Sequence, residues 1–170
     1  GLSRRIPEDL IKNKNFNHVI CDLTNFESIP ESVSQLLSKT SKIDLAILNA
    51  GILGPIADMK DQSLLGLKEV MDVNLWANKP IIDTLLENVP NTKKVVAISS
   101  GAAINGNKGW GGYSISKAAL NMLIKLYASE NEKTAFYSFA PGLIDTPMQD
   151  YLCGDELNVA EFPSAQKLKE

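Results

Sequence analysis

The chain has 170 residues, 44% of them hydrophobic, 22% charged and 6% aromatic, a composition that excludes a disordered, fibrous or membrane-embedded protein. Its 17 basic and 20 acidic residues leave a net charge of -3, and no Lys/Arg block exceeds a pair such as Arg4-Arg5 or Lys93-Lys94, so nucleic acid is not an expected partner. No apolar run reaches the roughly 18 residues of a bilayer span and no signal-peptide core opens the chain, which reads as cytoplasmic, with Cys21 and Cys153 incidental.

Strand-length apolar runs alternate with helix-like patterns throughout, the signature of βαβ units in one domain over residues 1–170. Gly1 to Arg5 reads as the end of a strand. His18 to Asp22 is the first complete strand; His18 has no Cys, Asp or Glu spacing around it that suggests a metal, and none is expected elsewhere. Thr24 is a candidate cap for an amphipathic helix over about 28–38, with Val33, Leu36 and Leu37 on one face.

Ile43 to Leu48 and Val95 to Ile98 are nearly unbroken apolar strands, as expected where helices cover both faces of a parallel sheet. Between them, apolar residues from Leu64 to Leu86 recur at threes and fours and predict a long helix over about 63–89, kinked by Pro80. A Gly-rich loop over 101–112 leads into a helix over about 113–129. A strand follows over 135–139, closed by Pro141-Gly142, and 149–158 reads as a short helix or loop within a mobile segment over 149–170. The expected architecture is a three-layer, doubly wound α/β sheet.

Chemistry concentrates between Ser100 and Lys117. Tyr113 and Lys117 are one helical turn apart and share a face, so an ammonium can stand near a phenol whose ordinary pKa is about 10 and favour its ionised form. Such tuning suits a tyrosine to acid–base work near neutral pH. Ser100 closes a strand at the end where open α/β sheets hold ligands, so a carbonyl oxygen fits between its hydroxyl and Tyr113. Taken alone, a Tyr-x-x-x-Lys pair is equally a pair of solvated surface groups. Trp110, before the tyrosine, is either a pocket wall or a packed loop aromatic.

Several motifs in order, from residue 1 to about 150, give the sequence a resemblance to the short-chain dehydrogenase/reductase family, a Rossmann-type fold. Its Asn-Ser-Tyr-Lys tetrad corresponds to Asn74 in VMDVNLW, Ser100 in AISSGAA, and Tyr113 and Lys117 in YSISK. The resemblance implies that Tyr113 protonates a carbonyl under reduction and Ser100 holds its oxygen. Lys117 would lower the tyrosine pKa and bind the nicotinamide ribose, and Asn74 would position a relay water. It further implies that Asn49-Ala50-Gly51 passes the adenosine ribose, with Gly51 allowing close backbone approach, and that Asp22-Leu23 contacts adenine.

Pro141-Gly142-Leu143-Ile144-Asp145-Thr146 is similar to the family's PG-x-x-x-T segment, in which the Ile144 backbone and Thr146 hydroxyl meet the nicotinamide carboxamide. Arg4, at a strand end where an acidic residue would mark NAD(H), points instead to the 2′-phosphate of NADP(H), a surface arginine being the alternative. Lys108-Gly109-Trp110 and APGLIDTPMQ are similar to sepiapterin reductase and the benzil reductases, which adds Trp110 to Ser100 and Tyr113 as substrate-contacting residues.

The family's first strand, its Gly-rich phosphate turn and its closing strand and helix have no counterpart among these residues, and a fragment of a longer chain is the expectation. The leading expectation is an NADPH-dependent ketone or diketone reductase, assembled as a homodimer or homotetramer through its two long helices. Leu120, Leu123, Ile124 and Tyr127 either form that face or pack on the sheet. A 3-oxoacyl or other short-chain alcohol dehydrogenase is the alternative enzyme, and a non-catalytic binding remnant the alternative class.

Overall fold

The computed structural model describes residues 1–154 and 161–162; the far end of the expected mobile segment lies outside them. Five parallel strands form two pieces of sheet. In the first, β1 (Leu2–Ser3) pairs with β2 (Val19–Ile20). In the second, β4 (Lys94–Ile98) lies between β3 (Ala46–Leu48) and β5 (Ala135–Phe139). Among the described residues no strand pairing joins β1 to β3, so the expected continuous sheet is interrupted between them.

Six helices connect them: α1 (Glu8–Ile11), α2 (Ile29–Leu37), α3 (Leu64–Met71), α4 (Asn78–Asn88), α5 (Gly111–Glu130) and α6 (Pro147–Cys153). Thr24 does not cap α2: its amide and hydroxyl turn back onto the Asp22 carboxylate at 3.0 and 2.9 Å, and a 3-10 turn over Phe26–Ser28 intervenes before Pro30 sets the first helical turn. Leu64 to Asn88 is not one kinked α-helix. The chain widens into a π turn over Asp72–Trp76, where the Ala77 amide reaches back to the Asp72 carbonyl. Pro80, which has no N–H to return to the Trp76 carbonyl, sits just past this widened turn, so the irregularity falls one turn earlier than the proline itself.

Register explains the core. Ala46, Val95 and Phe136 stand side by side and share a face with Leu48 and Ala97, onto which Ile82 and Leu85 of α4 and Leu120 and Ile124 of α5 pack. Leu123 and Tyr127 lie against the same cluster, so the second of their two readings, packing on the sheet, is the one observed. Cys21, Ile29, Val33 and Ala77 tie α2 and the first sheet piece to this body. On the opposite face the aligned Ile47, Val96 and Tyr137 have no covering helix of the same kind: Ile47 is 58% and Tyr137 52% exposed. The apolar character of these strands anticipates two covered faces; the described residues cover one.

No helix among the described residues is long and apolar enough to cross a membrane. The strand ends carrying Leu48 and Ile98 open into the loops that build the site, and α5 enters beside them.

Candidate active site

The chain after β4 turns sharply because Ser100 caps its own 3-10 turn, the hydroxyl accepting from the Ala102 amide at 3.2 Å. The Gly-rich loop then delivers Trp110 to the start of α5. Gly109 has φ +90°, and a Cβ there would meet Phe162 and Ile56, so only glycine brings Trp110 in at this depth. Gln62 secures the helix start, accepting from the Gly112 amide at 3.3 Å while its amide donates to the Ala57 carbonyl at 2.7 Å.

Tyr113 is 9% and Lys117 3% exposed, which disposes of the reading that they are solvated surface groups. The Ser100 hydroxyl lies close enough to the Tyr113 phenol to act on its titration. Burial pushes the Tyr113 pKa up, and the neighbouring Ser100 hydroxyl pulls against it, so the phenol holds its proton at neutral pH. Lys117 Nζ donates to the Ile98 carbonyl at 2.7 Å and stands 5.7 Å from the centre of the Tyr113 ring. Burial alone lowers the Lys117 ammonium to about 8.

Asn74 projects from the π turn and is fully buried. Its Oδ1 accepts from the Ile52 amide at 2.7 Å; its Nδ2 donates to the Ile52 carbonyl at 2.8 Å and to Ser116 Oγ at 2.9 Å. Its own backbone carbonyl accepts from Asn78 Nδ2 at 2.9 Å. The asparagine thereby clamps the loop after β3, the π turn and α5.

A cavity of about 630 Å³ opens above these residues. It gathers Asn49, Gly51, Ser100, Trp110, Tyr113, Lys117, Pro141, Gly142, Ile144 and Thr146 from the sequence-based set. Arg4, Asp22, Leu23, Ala50 and Asn74 are not on its wall. Arg4 follows β1 directly and is exposed, close enough to Asp22 for its charge to help lower that carboxyl, after the larger effects of the Thr24 amide and hydroxyl. Trp110 is both things expected of it: a T-shaped neighbour of Tyr113 at 6.0 Å within a cluster with Leu53, Ile56, Leu152 and Phe162, and a cavity wall.

Sequence reasoning missed Met148 and Leu152, which α6 brings over the cavity, and Ser99, whose buried hydroxyl has no protein partner. The first residues of the expected mobile segment are thus helical and packed, with Thr146 Oγ1 accepting from the Gln149 amide at 3.4 Å. Ser116 was missed as well, although its place between two catalytic candidates in YSISK marks it.

A family model described as short chain dehydrogenase matches residues 4–156. An uncharacterized oxidoreductase of Schizosaccharomyces pombe is 36% identical over 154 residues, covering 88% of this chain and 60% of its own length. Benzil reductase ((S)-benzoin forming) of Bacillus subtilis is 36% identical over 159 residues, covering 85% of this chain and 64% of its own. The crystal structure of a short chain dehydrogenase/reductase from Saccharomyces cerevisiae superposes with a TM-score of 0.87 at 25% identity, over 99% of this chain and 69% of that one. The chain spans about 60% of the length of the first curated relatives it matches.

Proposed function

The chain belongs to the short-chain dehydrogenase family, an NAD(P)-dependent group of oxidoreductases, and from that premise we propose that it is an NADPH-dependent carbonyl reductase acting on ketones or diketones. The observation that carries the reading is the grouping of half-buried Ser100 with buried Tyr113 and Lys117 on the wall of the cavity. A protonated phenol on a cavity wall beside a serine hydroxyl is a proton donor for an oxygen that gains charge.

The donor set fits the nicotinamide riboside end of a dinucleotide. Lys117 and Tyr113 would hold the ribose, the Ile144 backbone and Thr146 the carboxamide, and the unpartnered Ser99 hydroxyl offers one more polar contact. Farther along the strand ends, Arg4 would take a 2′-phosphate, with Asp22, Leu23, Asn49 and Ala50 toward the adenosine. When bound, the cofactor supplies the hydride. The chain does the rest: Ser100 fixes the carbonyl oxygen, Tyr113 gives it a proton, and Lys117 stabilises the phenolate left behind. Asn74 holds the helix geometry and its carbonyl the proton-relay side. Trp110, Met148 and Leu152 exclude water.

Neutral substrates suit the cavity, whose wall carries no ionisable group besides Tyr113 and Lys117 among the described residues. That favours a ketone or diketone over a 3-oxoacyl thioester, the enzyme alternative, whose carrier brings charge. The complete tetrad favours catalysis over a binding remnant. Ile115, Met122 and Leu126, exposed along one face of α5, are the surface for a homodimer or homotetramer.

Consumption of NADPH with benzil, a simple aryl ketone and a 3-oxoacyl thioester in parallel tests the proposal. Preferential turnover of benzil or the ketone is expected. Turnover of the thioester alone would move the assignment to the alternative enzyme, and failure to bind NADPH would point to the binding remnant.

A further inference from the structure

We infer that Ser116 is a positioning residue for the reaction: its buried hydroxyl couples the Asn74 amide to the backbone of Tyr113 and fixes how α5 presents Tyr113 and Lys117 to Ser100. The inference rests on the carbonyl-reductase reading above and deepens it.

Ser116 is wholly buried, one residue before Lys117 and three after Tyr113. A hydroxyl has one proton and two lone pairs, and both kinds of capacity are used: Oγ donates to the Tyr113 carbonyl at 2.7 Å and accepts from Asn74 Nδ2 at 2.9 Å. The direction of the chain of bonds is fixed from its far end. The Ile52 amide has only a proton to give, so Asn74 must turn Oδ1 toward it and present its two amide protons to the Ile52 carbonyl and to Ser116. No member can rotate without stranding a buried polar atom.

Serine in the middle of a helix is disfavoured relative to alanine, and a buried hydroxyl is costly unless bonded. At this position Ala would satisfy helix propensity and the packing beside Leu120. What Ala lacks is the tie between the π turn and the first turn of α5, the turn from which Tyr113 meets Ser100. A phenol displaced by a fraction of an ångström moves away from the Ser100 hydroxyl, and catalytic geometry tolerates little displacement.

The test compares Ser116→Ala, Asn74→Ala and the double variant in the native enzyme with NADPH and the best carbonyl substrate. Expected for Ser116→Ala is about a tenfold fall in kcat, NADPH binding within about twofold of wild type, and a shift of about half a pH unit or more in the limb of the kcat–pH profile that Tyr113 governs. If Ser116 acts through Asn74, adding Ser116→Ala to Asn74→Ala costs little more. Phenolate absorbance of the cofactor-free protein, measured against a Tyr113→Phe background, must move in the same direction without any turnover.

Ser116→Cys, close in volume and a weaker hydrogen-bonding group, serves if the alanine variant does not fold, and must shift the same limb the same way. An unchanged pH limb and kcat, or losses that multiply in the double variant, overturn the inference while leaving the reductase reading intact. That reading fails separately, if wild type does not turn over or if Tyr113→Phe keeps its rate.

Discussion

Gly51 and Lys117 approach so closely that a Cβ on the glycine would lie 3.3 Å from the lysine Nζ, and 3.4 Å from Asn74 Oδ1. The glycine of the Asn49-Ala50-Gly51 turn is therefore part of the catalytic geometry, because it leaves the volume in which the ammonium sits.

Gly51→Ala pushes on two groups that are already hydrogen-bonded and cannot yield freely. It should lower kcat about tenfold and stability by about 1–3 kcal/mol, the usual cost of overpacking. Steady-state kinetics and urea unfolding check the pair; a variant that loses stability but keeps kcat would separate Gly51 from the chemistry.

Tyr113→Phe removes the proton donor but keeps the ring against Trp110. The expected result is a fall in kcat of about 10²–10⁴-fold with NADPH affinity nearly unchanged. Stopped-flow reduction and equilibrium NADPH fluorescence read the two effects independently.

Lys117 titrates at about 8 in the fold against 10.5 for an ordinary lysine. Between those values the unfolded chain binds the extra proton, so native stability rises as pH goes from about 8 to about 10, and the cost of burying the ammonium is fully present below about 8. Lys117→Met should abolish activity yet match or exceed wild type in stability at neutral pH, by up to about 3 kcal/mol, with the gap closing toward pH 10. Calorimetry at several pH values would reveal the narrowing.

Arg4 stands exposed just beyond β1 and its charge is felt by Asp22. If it receives a 2′-phosphate, Arg4→Asp should raise the KM for NADPH by about ten- to a hundredfold and leave that for NADH unchanged or lower, the loss of one charge-assisted bond. Equal effects on both cofactors would make it a surface arginine.

Local spacing carried far in this sequence. The limits of β5 and the core of α5 follow from apolar runs and periodicity, and Tyr113 with Lys117 from a single helical turn. Leu152 and the Ile52–Asn74 clamp were not legible, because each acquires meaning only when elements distant in sequence pack together, and Ser116, though marked by its place in YSISK, gains its role from the same packing. Thr24 looked like a cap by residue type but found a nearer carboxylate in Asp22. Ile47 read as covered within an unbroken apolar run, while the register puts it, with Tyr137, on the face that the described helices leave open. The π turn was hidden by a pattern of apolar residues that continues through it, and Pro80 marked only its neighbourhood.

That turn sets the phase of everything after it. A π turn accommodates one residue more than an α turn does, so α4 is rotated by about 100° from where an unbroken α3 would have placed it. The offset lets Leu67 and Val70 crowd Gly112 while Ile82 and Leu85 are delivered to the sheet. Removing one residue between Asp72 and Trp76 would restore an ordinary helix at a gain in local regularity. The same deletion would swing the Asn74 amide away from Ile52 or turn Ile82 toward water, so here a straighter helix is the more damaging lesion.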